Sequence, residues 1–223
     1  MIEEQYRTEY EGEFVVTGIH YKNGKKEQTR EWIDNPLELK SISGRAVCVS
    51  DGLTVDDFNL SRLMARHGLL NTLALHVYGT NKLYQKFHPN FHVTFDKEDL
   101  EDLVAQNLTE EIMVYTNTSN CLKYPGEFFI IPYGIKSTSE AIAAWLACFD
   151  GHKEIYLLGY DQYTRDSTRR TKLIDSVERV IKAYSSTKFI HVIRSGETPD
   201  EWRQHLNVKT MTRPEFISHC DIS

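Results

Sequence analysis

An α/β fold with a doubly wound, mostly parallel sheet is predicted for this chain, and three observations carry the prediction. Continuous apolar runs without alternation recur between residues 45 and 193, as strands covered on both faces require. Amphipathic helical patterns separate several of these runs. Short polar or glycine-containing loops follow most of the runs, and in a parallel sheet such loops gather on one edge. A Rossmann-like sheet is therefore expected, with ligands beyond the carboxyl ends of its strands.

Residues 1–40 stand apart as an N-terminal extension to a domain over 41–223. Glu13 to Tyr21 and Lys25 to Ile33 read as strands around Asn23-Gly24, a strong hairpin signal. An isolated hairpin is marginal in water. It is expected to pack on the domain, or on a second copy to form a homo-oligomer.

From Gly44 onward strand and helix patterns follow one another. Strands are expected at Arg45 to Val49, Asn71 to Val77, Phe91 to Phe95, Ile112 to Tyr115, Phe128 to Pro132, Glu154 to Gly159 and Lys188 to Ile193. Helices are expected from Val55 to His67, burying Phe58, Leu63 and Met64, and from Lys97 to Ala105. Another runs to Tyr184 with Leu173, Val177, Val180 and Ile181 on one stripe. Helix starts are expected near Thr198 and at Thr212, where Glu215 sits three residues on.

The stretch Ser137 to Tyr163 organises the rest. Ser137 and Glu140 read as a capping box. Ala141, Ala144, Trp145, Cys148 and Phe149 share one helical face, mostly small, so the helix can lie close on a sheet. Gly151 stops it. The apolar run that follows ends in Gly159-Tyr160-Asp161-Gln162-Tyr163, and a basic polar loop (TRDSTRRTK) comes next.

The composition, 40% hydrophobic and 26% charged, is that of a globular protein. A net charge of -6 argues against duplex nucleic acid as a partner. The four cysteines form no C-x-x-C pair, so reduced thiols in a cytoplasmic protein are expected. The first residues lack a signal-peptide core, and no apolar run is long enough to span a membrane. The nine histidines are scattered, H-E-x-x-H is absent, and no cysteine has an activating neighbourhood. Neither a metal site nor a thiol nucleophile is expected.

The polar loops outline a nucleotide pocket. Ser50, Asp51, Gly52 and Thr54 follow one strand, Asn81 another, Asn117 a third. Thr138 and Ser139 open a helix, and Asp161 ends a strand. Helix N-termini near Thr54 and Thr138 offer amides to anions. Asn side chains and small hydroxyls suit a base or a ribose. Without G-x-G-x-x-G or a Walker loop, NAD and P-loop chemistry lose support.

Three segments resemble bacterial lipooligosaccharide sialyltransferases (glycosyltransferase family 42). VCVSDGLTVD, Val47 to Asp56, resembles that family's strand and G-N-G-P-S loop. VYGTNKLY, Val77 to Tyr84, resembles its R-x-N-Q-F-Y segment, with Asn81 at the asparagine. Thr138 to Tyr163, ending GHKEIYLLGYDQY, resembles T-S-G, a small-residue helix and G-Y-K-E-I-Y-L-x-G-I-D-F-Y. The resemblance implies a nucleotide-sugar donor, such as a CMP-sugar, and an acceptor. Tyr163 matches the first of the family's two phosphate-directed tyrosines. Arg169 stands at the spacing of the second, where a guanidinium can neutralise developing phosphate charge. Asp161 completes the catalytic set on this reading. Asp51 replaces an asparagine, and the family's histidine base has no counterpart; His191, the nearest, lies mid-strand.

HPNFHVTFD, His88 to Asp96, also resembles the P-D-Y-x-V-x-x-D segment of the family containing archaeal 6-hydroxymethylpterin diphosphokinases. That resemblance implies Mg held by Asp51, Asp96 or Asp161. A third reading is a binding or structural protein that kept the fold and lost the base.

Overall fold

The computed structural model describes residues 2–6, 13–22, 25–34, 44–64, 75–131, 137–161, 167–194 and 196–220. The described residues form two sheets. The first is antiparallel: β1 (Ile2–Tyr6) pairs with β2 (Glu13–Lys22), which pairs with β3 (Lys25–Asp34). The expected hairpin is thus present, with a third strand that the sequence reading lacked.

The second sheet is Rossmann-like, eight-stranded and parallel throughout. Its strands are β4 (Arg45–Val49), β5 (His76–Thr80), β6 (Phe91–Val93), β7 (Met113–Thr116), β8 (Phe129–Ile130), β9 (Glu154–Leu158), β10 (Lys188–Ile193) and β11 (Val208–Thr212). Their order is β11-β10-β9-β4-β5-β6-β7-β8. The chain winds outward from β4 to β8, returns to β9 beside β4, and winds out the other way. The order reverses between β4 and β9, so the crevice beyond their carboxyl ends is the switch point where such sheets bind ligands.

The helices are α1 (Ser61–Met64), α2 (Lys97–Ala105), α3 (Thr118–Lys123), α4 (Ser139–Phe149), α5 (Ser167–Ala183), α6 (Asp200–Arg203) and α7 (Arg213–His219). On one face of the sheet Ala46, Cys48 and Leu157 pack with α4, and α5 lies against α4. On the other, Val47, Val49, Leu158, Ile190 and Val192 pack with Phe58, Leu63 and Phe216. Small residues on the β4 side and alanines along α4 let helix and sheet approach closely. Every residue of α4 from Glu140 to Phe149 is buried, so it is covered on all sides rather than along one stripe.

Several expected boundaries move. The helix expected over Val55 to His67 is a short 3-10 turn, Leu53–Val55, followed by α1; residues 65–74 lie outside the described residues. Phe58 and Leu63 are buried as expected, but from a turn and a four-residue helix. The strand expected over Asn71 to Val77 begins at His76 and runs to Thr80. The helix beyond Tyr163 begins at Ser167, so Arg169 stands in a first helical turn and not in a loop.

Candidate functional site at the β4–β9 switch point

Two glycines bring the β4 and β9 loops into contact. The Ser50 amide donates to Leu158 O and the Gly52 amide to Gly159 O, each at 2.9 Å, which extends the strand pairing past both strand ends. A Cβ on Gly52 would lie 2.3 Å from Gly159 O, and one on Gly159 would lie 2.4 Å from Ser50 O. Gly159 also has φ +76, a region that side chains disfavour.

Beyond that contact Asp161 grips the β4 loop. Its carboxylate accepts from the Thr54 amide (3.0 and 3.2 Å) and from the Thr54 hydroxyl (2.7 Å). The same hydroxyl accepts from the Arg194 amide at the end of β10 (3.1 Å).

On the β5 side Asn81 is the junction. Its Nδ2 lies 3.2 Å from Ser50 Oγ, 2.9 Å from Asp51 Oδ1 and 3.1 Å from Glu140 Oε1. Turning the amide over would set its oxygen against two carboxylates, so the donor end faces this group. Asn81 holds φ 54, a conformation that Asn tolerates better than most residues. Ser50 Oγ donates to Asp51 Oδ1 (3.3 Å).

Glu140 is a site residue that the sequence reading assigned to a cap. The N-cap of α4 is Thr138, whose Oγ1 accepts from the Ala141 amide (3.2 Å). Glu140 therefore falls outside the capping box expected with Ser137. It is 4% exposed, its carboxylate reaches Asn81, and its carbonyl accepts from the Tyr160 hydroxyl (2.8 Å). A glutamate directly after the Thr138-Ser139 pair, in an expected first helical turn facing a strand-end loop, was the available signal.

Ser50, Asp51 and Glu140 meet on Asn81, Asp161 holds Thr54, and Gly52 lies in the β4 loop between Asp51 and Thr54; Thr138 and Ser139 open the helix that carries Glu140. Asn117 caps α3, accepting from the Asn120 amide (3.0 Å), at the end of β7 and three strands from β4. Arg169 is an exposed residue on α5. Tyr163 lies outside the described residues.

His191 is a core residue. It is buried against Trp202, its Nδ1 is 3.0 Å from Thr198 Oγ1, and burial pushes its pKa down to about 4, with Asp161 pulling the other way. Burial also pushes the Cys48 thiol up, which suits inert packing. Asp96 caps α2 through the Glu98 and Asp99 amides (2.8 and 3.2 Å). Among the described residues no three metal-ligating side chains converge.

No protein-family profile matches the chain, and no curated protein matches it. A solved structure of the sialyltransferase CstII from Campylobacter jejuni, in complex with a substrate analogue, cytidine-5'-monophosphate, aligns with it over 66% of this chain and 78% of that one. The identity is 17% and the TM-score 0.42. Among the described residues no helix is long and apolar enough to cross a membrane.

Proposed function

We propose that this chain is a nucleotide-sugar glycosyltransferase-like enzyme that takes its donor, a CMP-sugar by the motif at Gly151 to Tyr163, in the β4–β9 crevice. The observation that carries the proposal is the convergence of Ser50, Asp51 and Glu140 on Asn81 at the switch point. Carboxylates held in place beside an amide accept hydrogen bonds from hydroxyls and repel a phosphate. This part of the crevice therefore suits the ribose and sugar hydroxyls. The phosphate belongs at the N-terminus of α4, at Thr138 and Ser139, where helix amides favour an anion while the Glu140 carboxylate is turned to Asn81. Tyr163 and Arg169 then act on the departing phosphate.

In the reaction an acceptor hydroxyl attacks the anomeric carbon, its proton passes to solvent, the bond from that carbon to the phosphate oxygen breaks, and the nucleotide leaves as its monophosphate. Groups that meet the leaving phosphate matter most as its charge develops. Release of CMP from a CMP-sugar in water tests this before any acceptor is known. Tyr163→Phe should lower release by about 100-fold while CMP affinity stays near wild type. Arg169→Lys should also be slow, because an ammonium does not reproduce a guanidinium fork. Wild-type release from both variants would remove the pair from the mechanism. CMP binding without release, even with acceptors supplied, would favour a binding protein.

A further inference from the structure

We propose that Arg213, far from the crevice in sequence and on a different helix, is a positioning residue that latches the β4 loop into its ligand-ready form. The inference rests on the nucleotide reading above for its consequence, though not for its geometry. The loop after Gly52 makes a single 3-10 turn, Leu53–Val55, too short to hold itself. Two opposite charges grip it. From the β9 side, Asp161 takes the Thr54 amide and hydroxyl. From α7, the Arg213 guanidinium donates to Asp56 O at 2.9 Å and approaches Thr54 O at 3.5 Å. Between them Thr54 is fully buried, and its hydroxyl also accepts from the Arg194 amide.

The amide side of the turn is thus met by an anion and its carbonyl side by a cation. Arg213 itself is held in place by its helix, where Thr212 and Glu215 form a capping box and Pro214 occupies the first turn. Phe216, on the same helix, is fully buried against Phe58 and Tyr156. The guanidinium therefore sits on a rigid mount, and the loop it holds carries Ser50, Asp51 and Gly52 on its near side. Loss of Arg213 frees the turn, and the crevice loses the fixed position of Asp51 opposite Asn81. Ligand affinity falls although Arg213 touches no ligand.

Amide hydrogen exchange and CMP titration, both at a temperature where every variant is folded, test the latch. Arg213→Ala should speed exchange across residues 52–56 by about tenfold or more, with β9 unchanged, and weaken CMP binding by a similar factor. Arg213→Lys should recover part of both effects. Thr54→Val, which removes the hydroxyl that Asp161 grips and leaves the carbonyls that Arg213 holds, should free the turn from the other side and also speed exchange at 52–56. Unchanged exchange at 52–56, or an equal rise in β9, overturns the latch; so does wild-type CMP affinity in an Arg213→Ala protein whose loop has opened. A wild-type protein that binds none of CMP, CDP, UDP, GDP or ATP overturns the nucleotide reading alone, and selective exchange then still upholds the latch.

Discussion

The Gly52 amide donates to the Gly159 carbonyl at 2.9 Å, with no room for a side chain on either residue. This backbone contact sets the distance between the two loops that line the crevice. Gly159→Ala should be the more damaging change. It forces a side chain into a left-handed conformation, at about 1–2 kcal/mol, and also into Ser50 O. Gly52→Ala meets the Gly159 carbonyl without the conformational term. Urea unfolding of both variants checks the ranking. Wild-type stability in either would mean that the loops can part at no cost.

Acid should destabilise the protein through its buried histidines. His92 and His191 are both pushed down to about 4 by burial, from an ordinary value of 6.5. The unfolded chain therefore takes up protons first as pH falls. The stability is fully present above pH 6.5 and is lost as pH falls toward 4. Each histidine removes up to about 3 kcal/mol over that window. Melting temperature measured from pH 7.5 to pH 4.5 should fall steadily below 6.5, and His92→Leu with His191→Leu should flatten the slope. A flat wild-type profile would contradict the assignment.

Thiol chemistry should find one cysteine. Cys48, Cys148 and Cys220 are buried, whereas Cys121 is partly exposed on α3. A chromogenic disulfide reagent should titrate a single thiol in the native protein and four after denaturation. Rapid reaction of two or more native thiols would show that the core opens.

Tyr78 ties the far edge of the sheet together. Its hydroxyl donates to Asp150 Oδ2 at 2.6 Å and lies 3.1 Å from His152 Nε2, which in turn lies 3.2 Å from His76 Nδ1. Tyr78→Phe removes a buried hydrogen bond to a carboxylate and should cost about 2 kcal/mol. Because this cluster lies at the amino ends of β5 and β9, ligand affinity at the crevice should not change. A change in affinity without a change in stability would contradict that separation.

The strands that sequence reading found best were the doubly covered ones. Lys188 to Ile193 and Arg45 to Val49 matched to the residue, and Glu154 to Gly159 to within one, because burial on both faces leaves an unbroken apolar run. The edge strand β11 (VKTMT) escaped notice because its residues are mostly exposed and carry no such run. The helix drawn from Val55 went wrong for a different reason. Val55, Phe58 and Leu63 do reach the core, but the chain delivers them through a turn, and burial spacing alone does not distinguish that from a helix. The capping box expected at Ser137 and Glu140 failed because of a partner outside the segment: Glu140 is engaged by Asn81, just past β5, and Thr138 caps α4 instead. Arg213 stayed invisible for the same reason, because its partners are backbone carbonyls 157 and 159 positions away.

Calorimetric titration of CMP into wild-type protein and into Asn81→Gly tests the central claim most directly. Glycine keeps the left-handed backbone at this position and removes only the amide that joins Ser50, Asp51 and Glu140. The account predicts saturable binding to the wild type and its loss in Asn81→Gly, whose melting temperature falls, because buried Glu140 loses a donor, while the protein stays folded at the titration temperature. Equal binding by the two proteins, or no heat from either, would contradict a nucleotide site at the β4–β9 switch point.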